Sequence, residues 1–230
     1  MKTSILSLLA LLLANFALAQ HQPDGAWEFR GIDTVHTLII ADNHFSMAGY
    51  TIVEKKFFDS YGGTMHYTSG KITGKIEFNS SSKEGIGKTY TYPVKIQGNE
   101  MLLTRNGTRE LWKRVDDGKG QLAGNWRIIS REQNGKMNTM DPGPRKTVKI
   151  LSGTRFQWVA INTETGEFGG TGGGRYTLEN GKYTEMIEFF SRDSSRVGLS
   201  LSFDARVDGR EWHHWGKSSK GDMVNEIWLR

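Results

Sequence analysis

Glu185, His214 and Glu226, with Tyr183 two positions before the first of them, are the side chains of this sequence best suited to proton chemistry. A carboxylate within reach of an imidazole can serve as general acid or base, and a nearby tyrosine hydroxyl can hold the same proton. Their spacing fits the strand period of two. Residues two apart on a strand point the same way, so Tyr183 shares a face with Glu185, Trp212 with His214, and Glu226 with Trp228 and Arg230. With Trp158 and Tyr176 these eight side chains, Tyr183, Glu185, Trp212, His214, Glu226 and Trp228 among them, can line a cavity with aromatic walls and a few fixed charges. Such a pocket suits a small molecule with an apolar body and a polar head. The competing reading is plain barrel core, with Glu226 paired to Arg230 or another arginine.

Other chemistries find less support. His213 and His214 are adjacent, and neighbours on a strand face opposite ways, so they do not ligate one ion and no metal site is expected. The glycine run Gly166 to Gly174 lacks the Gly-Lys-Ser/Thr ending of a phosphate loop and a following helix; bulges and a flexible hairpin near a barrel mouth are the expectation there. There is no Gly-x-Ser-x-Gly elbow, and with 0 cysteines there is no thiol nucleophile. No cofactor is implied.

The first residues give an address. Lys2, the apolar run Ile5 to Leu18 and the small-x-small Ala17-Leu18-Ala19 before Gln20 read as a signal peptide, residues 1–19, cleaved near Ala19. The expected location is secreted or periplasmic, and no later stretch is long and apolar enough to span a bilayer. The formal charge of +5 is spread as +2 in residues 20–115 and +2 in 116–230, with Lys2 supplying the rest. No basic stripe stands out, which excludes a nucleic-acid binder. Nothing in the sequence sets the oligomeric state.

The elements that must position these side chains come twice. Gly25-Ala26-Trp27 opens a segment that closes on Glu110-Leu111-Trp112-Lys113-Arg114, and Gly124-Asn125-Trp126 opens another that closes on Glu226-Ile227-Trp228-Leu229-Arg230. Eight strand-like runs lie in each: 27–31, 36–41, 45–52, 64–68, 71–78, 88–96, 100–103 and 109–114, then 126–130, 146–151, 155–161, 174–178, 183–190, 198–207, 211–217 and 224–230. Eight antiparallel strands can close a barrel just wide enough for side chains or one small ligand. The expected organisation is barrel 1 over 20–115, a polar linker at 116–123, and barrel 2 over 124–230. The polar stretch 79–85 is expected to be an exposed loop.

Gly-x-Trp on the first strand and an aromatic and an arginine on the last make each segment resemble the lipocalin-like branch of the calycin superfamily. The second also resembles bacterial secreted lipocalin-like proteins, through Arg155 to Val159, Gly172 to Leu178, Tyr183-Thr184-Glu185 and the terminal Glu226 to Arg230. The resemblance implies an all-β chain of two tandem antiparallel up-and-down β-barrels. It also implies that Trp27 with Arg114, and Trp126 with Arg230, close the barrel ends, with Glu110 and Trp112 belonging to the same hardware. The leading functional expectation is a binding protein for a small, partly hydrophobic ligand in the second barrel. One alternative is a calycin-type isomerase or hydrolase using Glu185 or Glu226 as acid or base, aided by His214 or Tyr183. Another is a protein- or glycan-interaction module presenting Phe57, Phe58 and Tyr61.

Overall fold

The computed structural model describes residues 22–218 and 220–230, and the expected signal peptide lies outside them. Strands β1 (Gly25–Arg30), β2 (Val35–Ala41), β3 (His44–Tyr50), β4 (Phe57–Thr68), β5 (Lys71–Asn79), β6 (Thr89–Gln97), β7 (Glu100–Arg105) and β8 (Thr108–Asp116) pair in order, and β8 returns to β1. The second set is β9 (Gly124–Gln133), β10 (Lys136–Thr139), β11 (Arg145–Leu151), β12 (Arg155–Asn162), β13 (Glu167–Glu179), β14 (Lys182–Phe190), β15 (Ser200–Asp208), β16 (Glu211–Lys217) and β17 (Met223–Leu229). Here β17 closes onto β9, and β10 is a short extra hairpin arm on β9. The chain is therefore two closed eight-stranded antiparallel barrels in tandem, of up-and-down order, a topology consistent with the lipocalin and calycin superfamily. Among the described residues no helix is long and apolar enough to cross a membrane.

Each Gly-x-Trp has a local reason. Gly25 and Gly124 carry φ of 116° and 148°, and a Cβ on Gly25 would lie 2.2 Å from the Asp116 carbonyl oxygen. The glycine lets the chain turn so that the next-but-one tryptophan enters the core. Trp27 and Trp126 are fully buried, and each indole N–H donates to the carbonyl four residues earlier, Pro23 at 2.7 Å and Leu122 at 2.8 Å. The guanidinium of Arg114 lies 4.0 Å over Trp27, and that of Arg230 4.8 Å over Trp126. A cation on an indole face is worth roughly 0.5–2 kcal/mol, more as water is excluded. Leu122, in the stretch expected as a polar linker, is itself fully buried in the second core.

Three elements differ from the sequence expectation. β4 begins at Phe57 and not at Thr64, and β13 begins at Glu167, because the glycine runs Gly62-Gly63 and Gly169 to Gly174 lie inside strands and not in a loop. Bulges at Gly62/Gly63 and Gly173/Gly174 let those strands bend. The β10 arm follows Asn134-Gly135, both with positive φ, a two-residue hairpin signal that the strand pattern concealed.

The barrels pack side against side. The outward residues Ile39 and Ala41 of β2 meet Ile150 of β11, while Phe78 meets Val159 and Ile161 of β12. Tyr50 and Phe57 stack on Phe189 of the second barrel. Polar groups complete the interface: Arg155 donates to Glu28 at 2.5 Å and to Glu188 at 2.9 Å, Tyr50 donates to Glu188 at 3.0 Å, and Gln157 donates to Ser60 at 2.7 Å.

Candidate functional site

The register allows the two interiors to be compared position by position. Leu38 stands opposite Trp27 as Lys149 stands opposite Trp126, and Met47 stands opposite Leu38 as Trp158 stands opposite Lys149. Past the matched bulges, Met65 pairs with Gly74 and Tyr67 with Ile72, where the second barrel has Tyr176 with Glu185 and Leu178 with Tyr183. Along the last hairpin, Met101 and Leu103 occupy the places of Trp212 and His214. At most of these positions the second barrel carries the larger side chain, with exceptions at Tyr67 against Leu178 and Tyr61 against Gly172. Its interior is filled as a result; the first barrel's is not.

The eight residues expected to line a ligand cavity lie in or against that filled core. Tyr183 and Trp212 are fully buried, their rings 4.9 Å apart edge to face, and Trp228 stacks on Trp212 at 5.9 Å. Tyr176 packs on Tyr183 at 5.6 Å and donates its hydroxyl to the Ser152 carbonyl, and Trp158, half-buried, meets Phe190. At the centre sits Lys149, a residue with no pocket signal in the sequence because a lysine on a strand is ordinarily solvated. Its ammonium is 2.8 Å from Glu185, whose same oxygen accepts the Tyr183 hydroxyl, and it lies 5.0–5.2 Å from the ring centres of Trp228, Trp212 and Tyr183. Charge, hydrogen bond and three ring faces together make its burial tolerable.

His214 and Glu226 do meet, at 2.9 Å, and Glu226 also accepts from Arg131 and from the Trp228 indole. Burial pushes the His214 ring below its ordinary range against the pull of that hydrogen bond, so the ring is neutral near pH 7. Burial would raise the Glu226 carboxyl, but the His214 hydrogen bond and the Arg131 and Lys149 charges outweigh it and hold Glu226 anionic. The pair has the geometry of an acid and a base. It is enclosed: His214 is 2% exposed and Glu226 7%. His213 turns the other way, to Asn225 at 2.7 Å.

The open interior belongs to the first barrel. A cavity of about 220 Å³ is walled by Leu38, Ile40, Phe45, Met47, Met65, Ile72 and Trp112, with Tyr90, Tyr92, Asn79 and Gly85 around its rim. An engineered cavity of about 150 Å³ accepts a benzene ring, so this one fits a single ring or a short acyl chain. One charged group faces the cavity. Arg105 is at the end of the barrel away from Trp27, opposite Thr108, and holds Glu110 through Nε at 3.0 Å and Nη2 at 2.6 Å. Its Nη1 donates to the Tyr61 hydroxyl at 2.7 Å, which burial raises to about 12 and so keeps neutral. Three of the five guanidinium N–H groups are thus engaged, and the rest are free for a ligand oxygen.

Glu110 and Glu226 are counterparts. Each accepts the indole N–H two residues on, from Trp112 at 3.1 Å and Trp228 at 3.2 Å, and each holds one arginine. The aromatic residues expected as an exposed contact surface divide differently: Tyr61 lines the cavity, Phe57 stacks in the interface, and of the three Phe58 is the exposed one. The ends of the stretch 79–85, Asn79 and Gly85, border the cavity, and its Lys83 donates to the Thr165 carbonyl of the second barrel at 3.1 Å. The signal for the cavity was available in the sequence as the run of methionines and small residues at inward positions, against the tryptophans and tyrosines of the other repeat. Comparison of the chain with protein-family models, with curated proteins and with solved structures gave no match.

Proposed function

We propose that this protein is a binding protein, exported from the cytoplasm after cleavage near Ala19, that holds a small, partly hydrophobic carboxylate in its first barrel. The observation that carries the reading is the apolar cavity of about 220 Å³ with the Arg105 guanidinium as its one charged lining group. The volume is below the roughly 300–1,000 Å³ of pockets for drug-sized ligands, which sets the size class. The apolar part lies against Met47, Met65 and Trp112, and the carboxylate takes the unused Arg105 donors, with Tyr61 fixing the guanidinium plane. A planar fork prefers a carboxylate to a neutral head group. Glu185 and Glu226, the candidates of the acid and base reading, do not line this cavity and are buried in the second core.

The test is calorimetric titration with octanoate, 3-phenylpropionate and octanol. Binding of either acid to the intact chain, with octanol at least tenfold weaker, is the expected result. Met47→Trp installs the residue that the second barrel has at the same place; it should abolish binding while the circular dichroism spectrum is kept. Arg105→Met should remove the preference for acid over alcohol. Equal affinity for octanol and octanoate in the unaltered protein, or full binding by Met47→Trp, would sink the proposal.

A further inference from the structure

The open end of the second barrel carries a cleft with no counterpart in the first. In the first barrel β1 pairs with β2 along its whole length, Gly25–Arg30 against Ile40–Val35. In the second, β11 meets β9 only over Val148–Leu151. Beyond that point β9 gives its edge, Ser130–Gln133, to β10, and Arg145–Thr147 pair with β12 alone. The two strands splay, and a space of about 490 Å³ opens between them. Ile128, Met140 and Ala160 give it an apolar floor. Arg127, Arg131, Arg145 and Lys146 ring it, with Glu167 as the one acid of its lining.

The four cations are not equivalent. Arg131 is committed to Glu226 at 2.6 Å and Lys146 to Glu77 at 3.1 Å. Among the described residues Arg127 meets no carboxylate; its Nη2 reaches the backbone carbonyls of Gly143 at 3.2 Å and Asp141 at 3.5 Å. Arg145 is exposed and makes no ion pair among the described residues. Arg127 stands opposite Val148, three residues along β11 from Arg145, and both residues border the cleft. Two arginines without carboxylate partners among the described residues thus border one cleft that has an apolar floor.

We propose that this cleft is a second binding site, for a phosphate monoester bearing a short apolar group. The phosphate head engages Arg127 and Arg145, and the organic group lies on Ile128, Met140 and Ala160. A phosphate monoester carries about −1.5 to −2 charge near pH 7, which matches two unpaired guanidinium groups, and its oxygens accept their forked donors. The site is independent of the cavity in the first barrel and stands whether or not that cavity takes a carboxylate.

The experiment is calorimetric titration of the full chain with hexyl phosphate, in the absence and presence of saturating octanoate, with hexanol as the uncharged probe. One equivalent of hexyl phosphate should bind, more weakly as salt is raised, with octanoate without effect. Arg127→Gln and Arg145→Gln should each lower the affinity about tenfold, and Arg145, exposed and unpaired, can be replaced without disturbing the fold. Absence of binding, affinity unchanged in both variants, displacement by octanoate, or hexanol binding as tightly as hexyl phosphate would each overturn the proposal.

Discussion

At the scale of single residues, His214 and Glu226 show how a pair of reactive types can serve packing. Glu226 is 7% exposed and accepts from three residues: Arg131 through two of its nitrogens, His214, and Trp228 of its own strand. Both groups make folding depend on pH, and in the same direction. His214 titrates below its ordinary value in the folded chain, so its contribution is complete above about pH 6.5 and is lost as acid forces the buried ring to charge. Glu226, also depressed, contributes above the ordinary carboxylate range and loses that contribution as pH falls through its lower folded value. Urea unfolding should therefore show stability level from pH 8 to 7 and falling steadily below about 6.5. His214→Gln keeps a donor for Glu226 but cannot charge. It should flatten the part of that slope between pH 6.5 and 5, and an unchanged slope in the variant would assign the acid sensitivity elsewhere.

At the scale of strands, the matched bulges are the elements that make the two barrels alike. Gly63 and Gly174 have φ of 159° and 155°, and a Cβ on either would lie 2.1 Å from a backbone oxygen of the paired strand, that of Lys75 or Met186. No side chain can swing aside to relieve a clash with backbone. Gly63→Ala and Gly174→Ala should each destabilise by about 1–3 kcal/mol, the usual range for forcing extra atoms into packed structure. The first should also weaken ligand uptake in the first barrel, because β4 and β5 form the wall carrying Tyr61, Met65 and Ile72. Thermal melts of the two variants, compared with alanine at the exposed Gly143, which has nothing within 4 Å of a Cβ and no positive φ, provide the check. Much of this architecture is legible in the chain: the Gly-x-Trp openings, the Glu-x-Trp-x-Arg endings and the period of two give two barrels and most strand positions. Glycine inside a strand reads as loop, so β4 and β13 look shorter than they are. The inward face is legible too, but whether it is full depends on summed side-chain volume, and counting aromatics as a pocket lining reverses the answer. Tyr183, Trp212 and Trp228 fill the second barrel; Met47, Met65 and Gly74 leave the first open.

For the whole molecule, the two barrels share a wall whose residues are buried between them. β2 is apolar on both faces, Leu38 and Ile40 inward, Ile39 and Ala41 toward Ile150, so the first barrel alone would expose a face that the second covers. Arg155 is the polar centre of that wall: its side chain is 9% exposed, and it joins Glu28 of one barrel to Glu188 of its own. Removing one partner of a buried ion pair costs about 3–5 kcal/mol where the other is left bare. Here Arg30 remains on Glu28 and Arg175 on Glu188, which moderates the loss to about 2–3 kcal/mol by the same reasoning. The cost falls on the contact between barrels and not on either core, since no residue of the two central clusters touches Arg155 by hydrogen bond or ion pair. In urea the unaltered chain should unfold in one cooperative step. Arg155→Met should split it into two, the first barrel separating first because its open interior gives it the weaker core. The two steps can be told apart by fluorescence, Trp27 and Trp112 reporting on the first barrel and the other five tryptophans on the second. A single transition in the variant, shifted as a whole, would show that the apolar contacts of Ile39, Tyr50 and Phe78 suffice to couple the barrels without the arginine.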